Sequence, residues 1–268
     1  SLVVHERSVQ RLGLARDNSR RRSVYRKILR AADLVITENM SMASELRKME
    51  PGISELKVFK QPGSHPDLVE SLIRERPERF SDRFVVLSVG ALSERKGHEY
   101  LIRGIGEVRK DIPEIACRII GAGAKREELE NLIEQLGLTD AVELCGKRPH
   151  AEVLGEMSWC DVFALSSWGE AGGTVYGEAM QFGKPIIACQ GEGITDIAEN
   201  HVQGCMVPPR DAMAVADALR WLYADVSRRN RVAESARQLA VAELGYPKLA
   251  SALIELYESL AATGSIKA

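Results

Sequence analysis

The sequence predicts an α/β fold built on a doubly wound parallel sheet. Three observations predict it. Short Val- and Ile-rich runs alternate with helical patterns along nearly all of the 268 residues, which is the order of βαβ units. Six such runs follow a breaker cluster in the second part of the chain, enough for a complete doubly wound sheet. The stretch Asp161 to Met180 reads as an apolar strand, a glycine turn and then a helix, and α/β proteins place ligands in that arrangement at strand carboxyl ends.

The opening part carries three candidate strands, Leu2–Val4, Asp33–Thr37 and Leu56–Phe59, with helical patterns at Arg20–Ala32 and Ser41–Met49. Three parallel strands with two helices leave edges and faces uncovered, so residues 1–62 read as the trailing part of another domain. Gln61-Pro62-Gly63-Ser64-His65-Pro66 is the linker candidate, followed by a polar helix pattern through Pro77. Strands then read at Phe84–Val89, Ile115–Ile120, Ala141–Leu144, Val162–Ser166, Pro185–Ala188 and Gly204–Val207. Helices read between them, at Gly97–Lys110, Lys125–Leu136, His150–Met157, Tyr176–Phe182 and Ile194–Glu199. Three helices close the chain, at Ala212–Ala224, Ser227–Glu243 and Pro247–Leu260. In the last of these, Leu249, Leu253, Leu256 and Leu260 share one face. The expected division is 1–62, 63–245 for the linker and ligand-binding domain, and 246–268 for a terminal helix. The chain opens on Ser1 without Met and reads as a fragment.

Composition narrows the class. Net charge is −2, but residues 1–60 hold thirteen Lys/Arg against seven Asp/Glu. Five scattered cysteines without a C-x-x-C pair fit free thiols in a reducing cytoplasm, and neither a disulfide framework nor a zinc site. No apolar run reaches the 18 or so residues of a membrane span. The basic cluster from Arg16 to Arg30, with Val24, Ile28 and Leu29 among its charges, reads either as a solvated helix or as one resting on an anionic membrane surface. It lacks any nucleic-acid motif or aromatic platform.

Two carboxylates eight positions apart, Glu170 and Glu178, flank the turn Ala171-Gly172-Gly173-Thr174. A carboxylate is an acceptor that can take two donors, which suits a ligand rich in hydroxyls. Backbone N–H groups of the turn, at a helix start, suit an anion. Gly121-Ala122-Gly123 follows a strand but lacks the third glycine of a dinucleotide fingerprint, Arg126 standing there. Gly177-x5-Gly183-Lys184 has one residue too many for a P-loop, and Pro185 stands where Ser or Thr is required.

Val89-Gly90-Ala91-Leu92-Ser93-Glu94-Arg95-Lys96-Gly97, Ile119-Ile120-Gly121-Ala122-Gly123, Glu170-x7-Glu178-Ala-Met and Gly183-Lys-Pro-Ile-Ile-Ala188 together resemble the donor-binding half of retaining glycosyltransferases of family 4, with the GT-B fold. The resemblance covers about residues 84–225, and the tail resembles the family's last helix, which crosses back to the first domain. It implies transfer of a sugar from a nucleotide diphosphate-sugar donor to an acceptor hydroxyl with retention, in glycan, glycolipid or polysaccharide synthesis. Glu170 would contact donor-sugar hydroxyls, Glu178 the ribose diol, and Lys96 the diphosphate. Gly121, Gly123, Lys147 and Arg148 would lie by the nucleobase, and His5 would face the reacting sugar.

The resemblance implies no cofactor, and the chain has no Asp-x-Asp pair for a metal. It implies a lipid-linked or oligosaccharide acceptor and a cytoplasmic location, with the fragment inactive alone. Two positions depart from the pattern. Ala91 stands where the family usually has Arg, with Arg95 as a substitute across the loop, and Gly172 replaces an aromatic residue. A non-catalytic nucleotide-sugar-binding subunit and a GT-B sugar-nucleotide epimerase are the alternative readings.

Overall fold

The computed structural model describes residues 2–6, 19–60, 63, 66–169 and 173–262. Within them lie two parallel sheets. The first holds β1 (Val3–Glu6), β2 (Leu34–Thr37) and β3 (Leu56–Val58) in that order, with α1 (Ser19–Ala31) and α2 (Met40–Met49) between them in sequence. The short helix α3 (Pro66–Ser71) and a 3-10 turn at Glu78–Phe80 lead to the second sheet. There β4 (Phe84–Val89), α4 (His98–Val108), β5 (Ile115–Ile120), α5 (Arg126–Gln135), β6 (Val142–Gly146), α6 (His150–Trp159), β7 (Val162–Leu165), α7 (Thr174–Gln181), β8 (Ile186–Cys189) and β9 (Gly204–Val207) follow. Helices α8 (Ala212–Tyr223), α9 (Val226–Glu243) and α10 (Tyr246–Ala262) complete the described residues.

The six strands lie in the order β6-β5-β4-β7-β8-β9. The chain enters at β4 and builds outward through β5 and β6. It then returns to the other side of β4 with β7 and builds outward through β8 and β9. Connections therefore diverge between β4 and β7, and a crevice opens at the carboxyl ends of such a pair. The strand residues explain why the sheet is covered on both sides. Phe84 and Val86 pack with Ile102, Ile119 and Leu219, while Val85 and Leu87 pack with Phe163, Tyr176 and Met180 on the opposite face. Each such side chain contributes about 1.5–3 kcal/mol by leaving water.

In the first sheet, Val35 packs with Leu29, Met42 and Leu46. Leu34 and Ile36 turn to the other face and meet Leu256 and Leu260 of α10, with Leu253 alongside. The last helix of the chain thus covers the first sheet. Asn39 caps α2, its side chain accepting from the Met42 amide at 2.6 Å. One carboxylate ties the two parts together. Asp196 Oδ2 accepts from the Met40 amide at 2.8 Å and from Lys60 Nζ at 2.5 Å.

Two element expectations are corrected. The helix expected through Pro77 stops at Ser71. The segment after it is held against the end of α6, where Arg74 N–H meets Ser158 Oγ and the Arg76 guanidinium meets the Trp159 carbonyl, and Pro77 disfavours helix at the residue before it. The helix expected at Ile194–Glu199 is only a 3-10 turn, Gly193–Asp196. The basic helix also folds partly inward. Arg26 and Arg30 turn onto the buried carboxylate of Glu50, while Val24 and Ile28 stay exposed. Arg16 and most of the linker cluster, Gln61, Pro62, Ser64 and His65, lie outside the described residues. Among the described residues no helix is long and apolar enough to cross a membrane.

Candidate functional site

Four strand ends converge on one cavity of about 720 Å³. Val89, Gly90, Ala91 and Lys96 line it from the exit of β4, and Lys147, Arg148, Pro149 and His150 from the exit of β6. Gly173, Thr174, Val175 and Glu178 come from the start of α7, which follows β7. Glu38, one residue past β2, reaches it from the first sheet.

Lys96 ends a 3-10 turn, Glu94–Lys96, that Gly97 closes in the left-handed region at φ 66°. Its methylene stem runs back along Gly90, where an added Cβ would press on Lys96 Cδ at 3.3 Å. The bare backbone at Gly90 thus gives the lysine its path along the cavity wall. Directly after this turn, the His98 ring is buried, and neither ring nitrogen has a hydrogen-bond partner. Burial, and then the charge of Lys96, lower its pKa from 6.5 to about 4. The ring is therefore neutral near pH 7 and leaves Lys96 as the positive charge of this wall.

Glu178 sits in the second turn of α7 with its side chain 10% exposed. His150 Nε2 stands 2.7 Å from Glu178 Oε1. Gly173 precedes the helix at φ 62°, ψ 58°, a conformation open to glycine at little cost. The first turn of α7 faces the cavity, so the positive end of its dipole does too. Lys147 and Arg148 add two cations to the lining, Arg148 lying 3.8 Å from Glu152. The site therefore combines cations and a helix start, suited to an anion, with two buried carboxylates, Glu38 and Glu178, suited to donors.

The loop leaving β7 is pinned as far as Gly169. Ser166 Oγ donates to the Gly97 carbonyl at 2.9 Å, and the Trp168 amide to the Arg95 carbonyl at 2.9 Å. The Gly169 amide donates to Glu192 Oε1 at 2.8 Å, and Arg95 Nη1 donates to the Gly169 carbonyl at 2.9 Å. Arg210 stacks over Trp168 at 4.7 Å. Glu170, Ala171 and Gly172 follow at once and lie outside the described residues.

The expected site residues thus separate into groups. Lys96, Lys147, Arg148, Gly173, Thr174 and Glu178 meet at the cavity. Arg95 does not line it; its guanidinium donates to the Gly169 carbonyl. Gly121 and Gly123 do not line it either. An added Cβ would fall 1.8 Å from the Gly90 carbonyl oxygen at Gly121 and 2.3 Å from that of Leu92 at Gly123. Both are bare because the exits of β4 and β5 pass backbone against backbone. His5 is an exposed residue of β1 paired with Ile36, and it is not part of the lining.

Two lining residues escaped the sequence reading. Glu38 follows an apolar strand directly, so the strand-end rule could have marked it. His150 follows Pro149 at a helix start and carried no comparable signal. The five cysteines are free. Burial pushes the thiols of Cys160, Cys189 and Cys205 up to about 12 and that of Cys145 to about 11, and raises Cys117 too, so none supplies a thiolate nucleophile.

Comparison with known proteins places this geometry. The family described as "Glycosyl transferases group 1" matches residues 69–239. Alpha-D-kanosaminyltransferase of Streptomyces kanamyceticus is 31% identical over 188 residues, 69% of this chain and 49% of the relative. D-inositol 3-phosphate glycosyltransferase of Corynebacterium urealyticum is 33% identical over 183 residues, 66% of this chain and 43% of the relative. The chain spans about half the length of the curated relatives it matches. Sucrose-phosphate synthase from Thermosynechococcus elongatus superposes with a TM-score of 0.83 at 25% identity, over 97% of this chain and 68% of that one. HepE of Anabaena in complex with UDP gives 0.84 at 24% identity, over 97% and 72%; that likeness is one of fold.

Proposed function

Because this chain belongs to the group 1 glycosyltransferases, retaining enzymes of GT-B fold, we propose that it supplies the donor side of an enzyme that moves a sugar from a nucleoside diphosphate to an acceptor hydroxyl with retention. The observation that carries the reading is the convergence of Lys96, Glu178 and the start of α7 on one cavity at the β4/β7 divergence. Lys96 and the helix start oppose the diphosphate, where negative charge grows as the sugar departs. Glu178 accepts from the ribose diol. Glu170 is assigned to the sugar hydroxyls on its place in the motif. Lys147 and Arg148 border the nucleobase.

In the reaction the anomeric carbon loses its bond to the phosphate oxygen and gains one to the acceptor oxygen on the same face. The acceptor proton passes to the departing phosphate. The chain's own part is to hold the donor and to stabilise the leaving charge. Chain coverage makes binding, rather than turnover, the test. Calorimetric titration with UDP, GDP and ADP is expected to find one nucleotide that binds, with UDP the first choice because HepE holds it. Glu178→Ala and Lys96→Ala each remove a charge-assisted contact of about 1.5–3 kcal/mol, or about 10–100-fold in affinity. Absence of binding to all three nucleotides overturns the reading.

Ala91 favours a second reading, a nucleotide-sugar-binding subunit that does not turn over. It lines the cavity without charge, and Arg95 is engaged elsewhere. Donor hydrolysis by the full-length protein, with and without Ala91→Arg, separates the two. Activity gained only in the variant supports the second.

A further inference from the structure

Glu178 meets a histidine that no motif announces. His150 is the first residue of α6, with Pro149 as its cap, and Glu178 lies on a separate helix. Their contact, Nε2 to Oε1 at 2.7 Å, joins the two helices across the mouth of the cavity that both residues line. The carboxylate oxygen accepts, so the ring nitrogen facing it carries the hydrogen. The two ends of the contact differ in setting. The His150 side chain is 59% exposed and the Glu178 side chain 10%. The hydrogen bond therefore restrains both side chains, the buried carboxylate as well as the exposed ring. The chain has another option for a buried carboxylate. It closes Glu50 with two arginines and the Gly52 amide, an arrangement that surrounds the acid. At Glu178 a partner is a flat, half-exposed ring that itself lines the cavity.

We propose that His150 is a positioning residue for the ribose of the nucleotide: it holds the Glu178 carboxylate in the orientation that meets the 2′,3′-diol. The inference rests on the assignment of Glu178 to the ribose made above. A free glutamate side chain loses rotamer freedom when it engages a ligand. A carboxylate already fixed by a hydrogen bond loses less, and that difference appears as affinity. The effect belongs to nucleotides that carry the diol and to no others.

The test is a double-mutant cycle read with two ligands. UDP, GDP and ADP, and their 2′,3′-dideoxy counterparts, are titrated calorimetrically into the chain and into His150→Ala, His150→Gln, Glu178→Ala and the His150→Ala/Glu178→Ala pair. Loss of the contact is expected to weaken the best ribonucleotide about tenfold and to leave its dideoxy analogue unchanged. His150→Gln, whose amide N–H can reach the same oxygen, recovers part of the loss. In the Glu178→Ala background, His150→Ala adds nothing. Unfolding midpoints of the single variants are measured alongside, and His150→Gln carries the test if His150→Ala does not fold.

Equal weakening of both ligands, or none, overturns the role of His150 while leaving a Glu178 effect intact. If Glu178→Ala itself leaves ribonucleotide affinity unchanged, the ribose assignment fails and takes this inference with it.

Discussion

Helix α6 carries two kinds of polar contact, and the contrast separates structure from site. Glu156, toward its end, meets Arg118 of β5, which is 5% exposed. Arg118 Nε and Nη2 reach Glu156 at 2.6 and 2.9 Å, and Nη1 reaches Glu143. Burial pulls the pKa of the guanidinium down, but the bond to Glu156 and the neighbouring negative charges outweigh it and raise the pKa above its ordinary value. This group is closed: a forked donor is matched by forked acceptors, and the Phe80 ring covers it at 5.4 Å. At the start of the same helix, His150 meets Glu178 at the edge of a cavity. A closed ion cluster holds two elements together. The His150–Glu178 contact instead lies beside the volume that Lys96 and Lys147 line, where a ligand can reach it.

Breaking the closed cluster is the largest expected effect. Arg118→Ala leaves Glu156 without its buried counter-charge, and removal of one partner of a buried pair costs about 3–5 kcal/mol. Urea unfolding is expected to show that loss, with nucleotide affinity per folded molecule unchanged. A variant as stable as the parent would mean that the cluster is not closed in solution.

Two histidines sharpen the same contrast. His150 is half in water, while His98 is sealed beneath the Lys96 turn. The folded pKa of His98 lies near 4 against 6.5 for the free side chain, so the unfolded chain binds the proton first as pH falls. The stability gained from the neutral ring is fully present above about pH 6.5. It is lost progressively toward pH 4, where it amounts to about 3 kcal/mol. Replacing the ring by an apolar one, His98→Phe, removes this slope. The unfolding free energies of parent and variant, compared at pH 7 and pH 4.5, are expected to differ least at neutral pH and to diverge on the acid side in the variant's favour. Parallel pH curves would contradict a buried neutral histidine.

What the sequence could disclose follows the same division. The limits of β4, β5 and β9 are readable because mainly apolar runs, interrupted only by Ser88 in β4 and Arg118 in β5, are bounded by glycines or turns. Leu253, Leu256 and Leu260 declared the face of α10 by their spacing, though not what it would cover. Lys96 and Glu178 were readable from motif and strand-end position. The direction of a cation was not. Arg95 sits beside Lys96 in sequence, yet it turns away to the Gly169 carbonyl, a contact across 74 positions. Glu38 and His150 gain their meaning only when β2, α6 and α7 are brought together. The helical pattern at Ile194–Glu199 closes only as the 3-10 turn Gly193–Asp196, whose Asp196 side chain bonds Met40 and Lys60 of the first part of the chain.

Asp196 stands between the closed and the open case, and its expected effect is the smallest. Its side chain is 20% exposed and that of Lys60 19%, so the pair is neither sealed nor free. Oδ2 serves a backbone amide and an ammonium at once. Asp196→Asn keeps an acceptor for Met40 and drops the charge, and about 1 kcal/mol of stability is expected to go with it. Asp196→Ala removes the acceptor as well and is expected to cost about twice that. Raising the salt concentration should narrow the gap between parent and Asn variant by screening the ion pair, while the gap between the Asn and Ala variants persists. The Met40 amide is the local reporter. Its hydrogen exchange should quicken in the Ala variant and hold in the Asn variant, because only the former leaves the start of α2 without its partner. Met40 lies two residues past Glu38, so a change confined to that amide would mean that the seam sets the first sheet's edge of the cavity. Equal exchange in all three proteins would mean that the Asp196 bond to the Met40 amide does not hold the start of α2.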